Sequence, residues 1–399
     1  MKNFVFISPH FPDNYWKFCF ALKNRGFKVL GVCDASYNDL KDECKNSLDE
    51  FYGCPFMDNI DNEIRALEYF KNKYGDIDYI ESNNEYWLPK DAKLRDIFNV
   101  KTSFSEKEIL ELTKKSNQKR FYEEAGLKPA RYSLSKDYEN LKKFANEVGY
   151  PIFAKPNYGV GAHGTQKINN DDELIRFVSS IPENEEYIFE EFINGRTISF
   201  DAICDSNSNV IFCTSHYFSD SCAEIIKNHN DTMYFCYPKC PKDLEEIGRK
   251  CMKTFGIKKR FVHFEFFRLL EDHPYFGKKG TIVPLEANLR PAGGYTPDLI
   301  NFANSVNVYE IYADMIAYDE NRQKMDYEKY YAVSSARRYG KKYLHNLDEV
   351  LNKYHNNVCF YGEFPYVLRD DMGDFFVCAK FKTEEEMWEF DKYFREKVE

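Results

Sequence analysis

The first hundred residues switch repeatedly between short apolar runs and segments of helical period. Phe4–Ser8 is a run of strand length. Asn14–Asn24 carries its apolar residues at helical spacing and stops at Gly26, a usual helix-ending residue. Lys28–Cys33 predicts a second strand ending at Asp34. Asn59–Tyr74 predicts a helix closed by Gly75, and Ile77–Glu81 another strand. This β-α-β order predicts a parallel sheet. After the first strand stands Ser8-Pro9-His10-Phe11-Pro12, not a glycine-rich fingerprint, so a dinucleotide-binding site is not expected there.

The pattern then changes. Ser105–Leu112, Asn117–Ala125 and Tyr138–Val148 read as helices, the last two closed by Gly126 and Gly149. Pro151–Lys155 is a strand leading into a glycine-rich loop, and Asp171–Ser180 a helix with acidic residues at its start. Tyr187–Phe192, Thr197–Cys204 and Asn209–Tyr217 read as sheet. Leu244–Phe255 is a helix ending at Gly256, and Arg260–Leu269 pairs with Thr281–Ala287 across the polar loop Glu271–Gly280. Val308–Ala317 is helical and Tyr330–Ala336 a strand. Leu347–Tyr354, Phe364–Leu368, Phe375–Phe381 and Glu384–Arg395 read as a small α/β appendage. A chain of 399 residues exceeds one ordinary core, so two or three domains are expected. The expected divisions are 1–103, 104–320 (with a lid part at about 145–190) and 321–399.

A net charge of −10 weighs against nonspecific binding to nucleic acid or anionic membranes. No apolar stretch reaches membrane-spanning length, and the N-terminus begins as a strand without a signal-peptide pattern. Of the 12 cysteines only Cys236 and Cys240 are close together, which is no zinc-ligand pattern. Reduced, mostly buried thiols in a cytoplasmic protein are expected.

Chemistry concentrates in four segments. Glu286-Ala287-Asn288 ends an apolar run, so a strand would carry a carboxylate and an amide oxygen on one face, with Arg290 continuing it. Hard oxygen ligands suit Mg²⁺, and a guanidinium suits a phosphate or carboxylate. His263-Phe264-Glu265 supplies a second carboxylate. Lys155 precedes Gly159, Gly161 and Gly164, which let backbone N–H groups close around phosphates. No Gly-Lys-Ser/Thr follows, so this is not the Walker pattern, and a tight hairpin would explain the loop equally well. Ile188-Phe189-Glu190-Glu191-Phe192-Ile193 taken alone is a plain edge strand turning at Asn194-Gly195. Together, the segments describe a site for Mg-ATP.

The order Lys119, Lys155 with its glycine loop, Glu190-Glu191-Phe192-Ile193, Glu265, then Glu286-x-Asn288-x-Arg290 resembles the ATP-grasp superfamily over roughly residues 1–320. His263-Phe264-Glu265 and Arg290-Pro291-Ala292-Gly293-Gly294 are similar to the carboxylate–amine ligase branch that holds L-amino-acid ligases and carnosine-synthase-like enzymes. The resemblance implies an α/β fold: an ATP-grasp domain preceded by a Rossmann-like domain and followed by a small C-terminal α/β domain. It implies that Lys119 opens the first grasp helix and, with Lys155, reaches ATP phosphates. Gly159, Gly161 and Gly164 would form the lid loop, and Glu190, Glu191 and Ile193 the adenine-side linker. Glu265, Glu286 and Asn288 would hold Mg²⁺ (or Mn²⁺), and Arg290 would stabilise the transferring phosphoryl group, with Glu286 also essential to catalysis. The implied reaction joins a small carboxylate to an amine through an acyl phosphate, releasing ADP and phosphate.

The chain departs from the family pattern at Ala162, where many members have serine, and at Thr197, where several have a ribose-binding glutamate. The hairpin between Glu265 and Glu286 is also long. Two other readings stand beside the ligase: an ATP-grasp enzyme activating bicarbonate or another small acid, and a nucleotide-binding regulatory module without catalysis. Neither nucleic acid nor membrane is an expected partner, and a homodimer is the assembly related ligases suggest. His263 is read as a supporting or core residue and His163 as a surface histidine. Ser82-Asn83-Asn84-Glu85 is either a polar turn or part of an acceptor site. Arg337-Arg338 is either a solvated pair or an anion contact.

Overall fold

The structure is a computed structural model that describes residues 1–159, 164–219 and 229–398. The strands are β1 (Asn3–Ile7), β2 (Lys28–Cys33), β3 (Glu50–Gly53), β4 (Tyr79–Glu81), β5 (Tyr132–Ser133), β6 (Ile152–Pro156), β7 (Gln166–Ile168), β8 (Tyr187–Glu191) and β9 (Gly195–Cys204). They continue as β10 (Val210–Thr214), β11 (His216–Phe218), β12 (Thr232–Cys236), β13 (Arg260–Leu269), β14 (Ile282–Asn288), β15 (Tyr331–Arg337), β16 (Val358–Glu363) and β17 (Phe375–Phe381). The first four form the expected parallel sheet, in the order β3-β2-β1-β4. β1 is buried along its whole length, which its unbroken apolar run requires. Helix Trp16–Asn24 begins two residues later than predicted, and Asn59 caps the helix Ile60–Tyr74 rather than belonging to it.

A nine-stranded sheet runs β14-β13-β9-β11-β12-β15-β17-β16, with β10 also paired to β9. One expectation changes here. Asn209–Tyr217 is not one strand: the chain breaks at Ser215, and β10 and β11 pair with separate stretches of β9. The C-terminal strands do not make a sheet of their own. β15 pairs with β12 and β17 with β15, extending the central sheet, because the buried runs Ala332–Ala336 and Phe376–Ala379 need neighbours on both edges. Sequence pattern reads strands but not which distant strand each will join.

A third sheet, β5-β8-β6-β7, is antiparallel and covered by the helices Tyr138–Val148 and Asp171–Ser180. Its small core is built on Leu141, Ile152, Ala154, Ile168, Leu174 and Phe189. The parallel sheet is tied to the central one by a buried ionic group. Glu81 at the end of β4 receives Arg260 of β13 at 2.5 Å and lies 3.6 Å from Arg95. The 11 described cysteines are all free thiols, nine of them buried. No helix among the described residues is long and apolar enough to cross a membrane.

Candidate active site

The site is built on one face of β9, β13 and β14. In register, Asp201, His263 and Asn288 form one row, and Ser199, Glu265 and Glu286 the next. Side chains directly opposite each other on neighbouring strands share a face. The alternate residues Phe200, Val262, Phe264 and Ala287 bury the opposite face in the core. A bulge at Leu285 breaks the β13–β14 register between Glu265 and Phe266, and it also accommodates Pro284, which has no N–H to donate. The strand pair thus sets Glu265 opposite Glu286.

Helix Lys115–Glu124 lies along the edge strand β14. Gln118 fastens it there: its amide donates to the Ala287 carbonyl at 2.9 Å and its oxygen accepts from the Ala287 N–H at 3.0 Å. Lys119 therefore lies one turn inside the helix rather than opening it. Lys115 opens it, and sequence reasoning missed this residue. Its ammonium reaches Glu286 at 2.9 Å and the Gly159 carbonyl at 3.0 Å. Burial disfavours its charge, yet Glu286, then Glu85 and Glu190, raise its pKa. The available signal was its spacing, four residues before Lys119 on the same helix face.

Lys119 and Lys155 converge on Glu190, Lys155 at 2.8 Å and Lys119 closer still. All three are buried. Burial alone would raise the Glu190 pKa, but the two ammonium groups hold it down to about 2. Burial, and then the like charge of Lys155, push Lys119 downward. Asn157, also missed from sequence, anchors the start of the glycine loop. Its oxygen accepts from the Ser116 N–H at 2.9 Å, and its amide donates to the Ser116 hydroxyl and to Glu186, each at 3.0 Å. The loop is thereby fixed to the N-terminus of the lysine helix.

Other expected residues fall at different places. Gly159 has φ +126°, and Gly164 has φ +73° with Tyr187 so near that an added Cβ would meet its hydroxyl at 2.7 Å. Glycine is required there. Gly161, Ala162 and His163 lie outside the described residues. The Glu191 side chain lies on the opposite strand face from Glu190, in a two-pronged pair with Arg131 at 2.7 and 2.9 Å. Ile193 packs with Ala130, Leu269, Phe276 and Val283. Arg290 is held by Glu85 at 2.6 and 3.0 Å. Burial disfavours its charge, but Glu85 outweighs this and raises its pKa. Of the segment Ser82–Glu85, Glu85 therefore reaches the site, whereas Ser82 bonds Asp91 at 2.5 Å. The Arg337-Arg338 pair is turned toward backbone carbonyls, with Arg338 buried and Arg337 half-buried. Arg337 donates to the Phe394 carbonyl at 2.7 Å, and Arg338 to those of Asn230 and Asp370 at 2.9 and 2.7 Å, because both are drawn into the chain's C-terminal packing.

Behind the carboxylates lies a buried polar chain. His263 reaches Glu265 at 2.9 Å through Nε2 and Asp201 at 2.8 Å through Nδ1. Asp201 also takes His216 Nδ1 at 2.6 Å and the Ser199 hydroxyl at 2.6 Å. Burial would lower the His263 pKa, but Asp201 and then Glu265 raise it to about 9. Ligand atoms of Asp201, His216 and His263 lie within 4.8 Å of one another. Their contacts have hydrogen-bond lengths, with both Nδ1 atoms aimed at the Asp201 carboxylate.

The donor set fits Mg-ATP. Glu265, Glu286 and Asn288 offer hard oxygen ligands, and Lys115, Lys119 and Lys155 gather positive charge beside them.

Residues 114–233 match the family described as the carbamoyl-phosphate synthase L chain, ATP binding domain. The chain is 36% identical over 76 residues to the carbamoyl phosphate synthase large chain of Agathobacter rectalis, which is 18% of this chain and 7% of that protein. It spans between 7% and 15% of the length of the first three curated relatives it matches. Among solved structures it is similar to an L-amino acid ligase from Bacillus licheniformis, with TM-score 0.74, 15% identity, and coverage of 98% of this chain and 96% of that one. It is also similar to the biotin carboxylase domain dimer of Hydrogenobacter thermophilus 2-oxoglutarate carboxylase, a complex with MgADP, ADP and bicarbonate. There the TM-score is 0.68 at 16% identity, covering 95% of this chain and 86% of that one. The expected α/β ATP-grasp fold is borne out by these likenesses.

Proposed function

We propose that this chain, ATP-grasp in fold, is an ATP-dependent carboxylate–amine ligase that forms an amide or peptide bond by way of an acyl phosphate. The observation that carries this reading is the convergence of Lys115, Lys119 and Lys155 on carboxylates beside the facing pair Glu265–Glu286. Such a cleft suits a polyphosphate and a divalent cation better than it suits any neutral ligand. Similarity along nearly the whole chain to the L-amino acid ligase favours an amide-forming reaction.

Each residue has a role in this reading. Lys119 and Lys155 hold nucleotide phosphates, with Gly159, Gly161 and Gly164 closing over them. Glu190, Glu191 and Ile193 belong to the strand end that flanks the base, although the Glu191 side chain itself serves Arg131. Glu265, Glu286 and Asn288 hold Mg²⁺, with Mn²⁺ as a substitute. The cation, when bound, offsets phosphate charge. Lys115 keeps Glu286 oriented until the site fills. Arg290, released from Glu85 or reaching past it, stabilises the phosphoryl group in transfer. Closure of the sheet β5–β8 against the cleft excludes water that would hydrolyse an activated acyl group. Residues 1–103, 104–320 and 321–399 are the working divisions, the last two sharing the central sheet. Small-molecule carboxylate and amine substrates, a homodimer and a cytoplasmic location complete the reading.

A second reading, activation of bicarbonate or another small acid, draws support from the family match and from the bicarbonate-bound carboxylase. One experiment separates the two. The protein is incubated with Mg-ATP and pooled acids and amines, and nucleotide products are measured with Glu286→Ala as control. ADP and phosphate that depend on both pools support the amide ligase. Release driven by bicarbonate alone supports the second reading. AMP and pyrophosphate exclude an acyl phosphate.

A further inference from the structure

We propose that His263 is a positioning residue that orients Glu265 as a cation ligand, and that Asp201 and His216 serve to hold His263. The inference rests on the reading of Glu265 as a ligand and adds three residues to it.

The geometry is continuous. His263 and Glu265 are two apart on β13 and so share a face. A histidine reaches along its own strand to such a neighbour only if its ring is swung parallel to the strand. Asp201, directly opposite on β9, holds the other end of the ring at 2.8 Å. Glu265 Oε1 is thereby committed to Nε2 at 2.9 Å, which leaves Oε2 to a cation. Asp201 is fully buried, and a buried carboxylate is costly unless its oxygens are satisfied. Oδ1 takes His263, while Oδ2 takes His216 and the Ser199 hydroxyl. The two imidazole rings stack at 5.0 Å with planes 14° apart, so neither turns independently of the other. A core needing only to be filled would use apolar residues at these positions, at lower cost. Four polar side chains in series, ending on one carboxylate oxygen, restrict that carboxylate to one orientation. Outer groups that orient a ligand in this way commonly change metal affinity by ~10- to 100-fold when removed.

The test uses Mn²⁺ as probe, in the presence of a non-hydrolysable ATP analogue, with free Mn²⁺ followed by electron paramagnetic resonance. In His263→Asn the amide falls near the Nδ1 position and keeps Asp201 but loses Glu265. In His263→Gln it falls near Nε2 and keeps Glu265. Thermal melting establishes that each variant is folded, and Asp201→Asn stands in for any that is not. The expected result is Mn²⁺ binding weakened ~10- to 100-fold in His263→Asn and less in His263→Gln. Analogue affinity without metal stays unchanged. In a Glu265→Gln background His263→Asn adds nothing. Wild-type Mn²⁺ affinity in His263→Asn overturns the proposal, as does an equal further loss in the Glu265→Gln background. If the wild type binds Mn²⁺ and Glu265→Gln does not weaken it, Glu265 is no ligand and the proposal falls with that assignment. If the wild type shows no nucleotide-dependent Mn²⁺ binding at all, the proposed function itself fails. A tightly held zinc ion in the purified protein, absent from His216→Ala, would make the cluster a metal site and overturn the positioning role.

Discussion

Two buried triads in this molecule have the same composition, two cations around one carboxylate, and, in the proposed function, opposite uses. In the first, Arg95 and Arg260 flank Glu81 between the parallel sheet and the central sheet. In the second, Lys119 and Lys155 flank Glu190 between the lysine helix and the sheet β5-β8-β6-β7. The arginines also donate to fixed backbone and side-chain acceptors. Arg95 bonds the carbonyls of Phe104 and Ile80 at 2.9 and 2.8 Å, and Arg260 those of Leu289 and the Ser103 hydroxyl at 2.9 and 2.6 Å. The lysines, among the described residues, are held only by Glu190. A guanidinium fork suits permanent, many-pronged attachment, and an ammonium on a flexible stem suits an exchangeable anion. Stoichiometry and burial do not separate structure from site. The destination of the remaining donors does. The first triad also touches the candidate site, since Arg260 grips Leu289, between Asn288 and Arg290 at the end of β14.

The largest expected effect lies just outside both triads. Glu286→Ala should lower turnover by roughly a hundredfold or more, while its circular dichroism and melting stay near wild type. Retention of more than a small fraction of activity would remove Glu286 from the catalytic set. Next, Glu81→Ala should destabilise the fold by ~3–5 kcal/mol, because it strands two buried guanidinium groups. Urea unfolding measures this, and nucleotide affinity at low temperature should remain unchanged. A loss of affinity without loss of stability would reverse the assignment of the two triads. Lys155→Ala should do the converse, weakening nucleotide binding about tenfold or more with a smaller effect on stability. Unchanged affinity by calorimetry would count against a phosphate role.

The smallest effect is a pH signature of the second triad. The Glu190 carboxyl is held down to about 2, against an ordinary 4.5. A depressed carboxylate stabilises the folded state fully above its unfolded value, and this contribution is lost as pH falls toward its folded value. The stability difference between wild type and Glu190→Gln should therefore be constant above about pH 5 and shrink between about pH 4.5 and 2. A difference that persists undiminished to about pH 3 would show that the lysines do not hold Glu190 ionised.

Strands, helices and the ordered motif set were legible in the sequence because each depends on local spacing. Glu286 and Asn288 could be placed on one face from a period of two alone, and the glycine loop from composition, whereas Glu265 joined them as a ligand only through the resemblance. Lys115 and Asn157 were not legible as site residues. A lysine at a helix start and an asparagine after a proline are ordinary until Glu286 and Ser116 are seen beside them. The Arg337-Arg338 pair failed for the same reason, since its partners lie up to 108 residues away in the chain.

By itself, then, the sequence determined many of the strands and helices, which side chains share a strand face, and, through its ordered motifs, the α/β ATP-grasp class. Tertiary structure alone decided that β15–β17 extend the central sheet, that Glu85 grips Arg290, and that four polar residues line up behind Glu265. The physical reason is range. Backbone period and turn chemistry act over a few residues, whereas an ion pair or strand register is chosen among all surfaces the folded chain brings within reach.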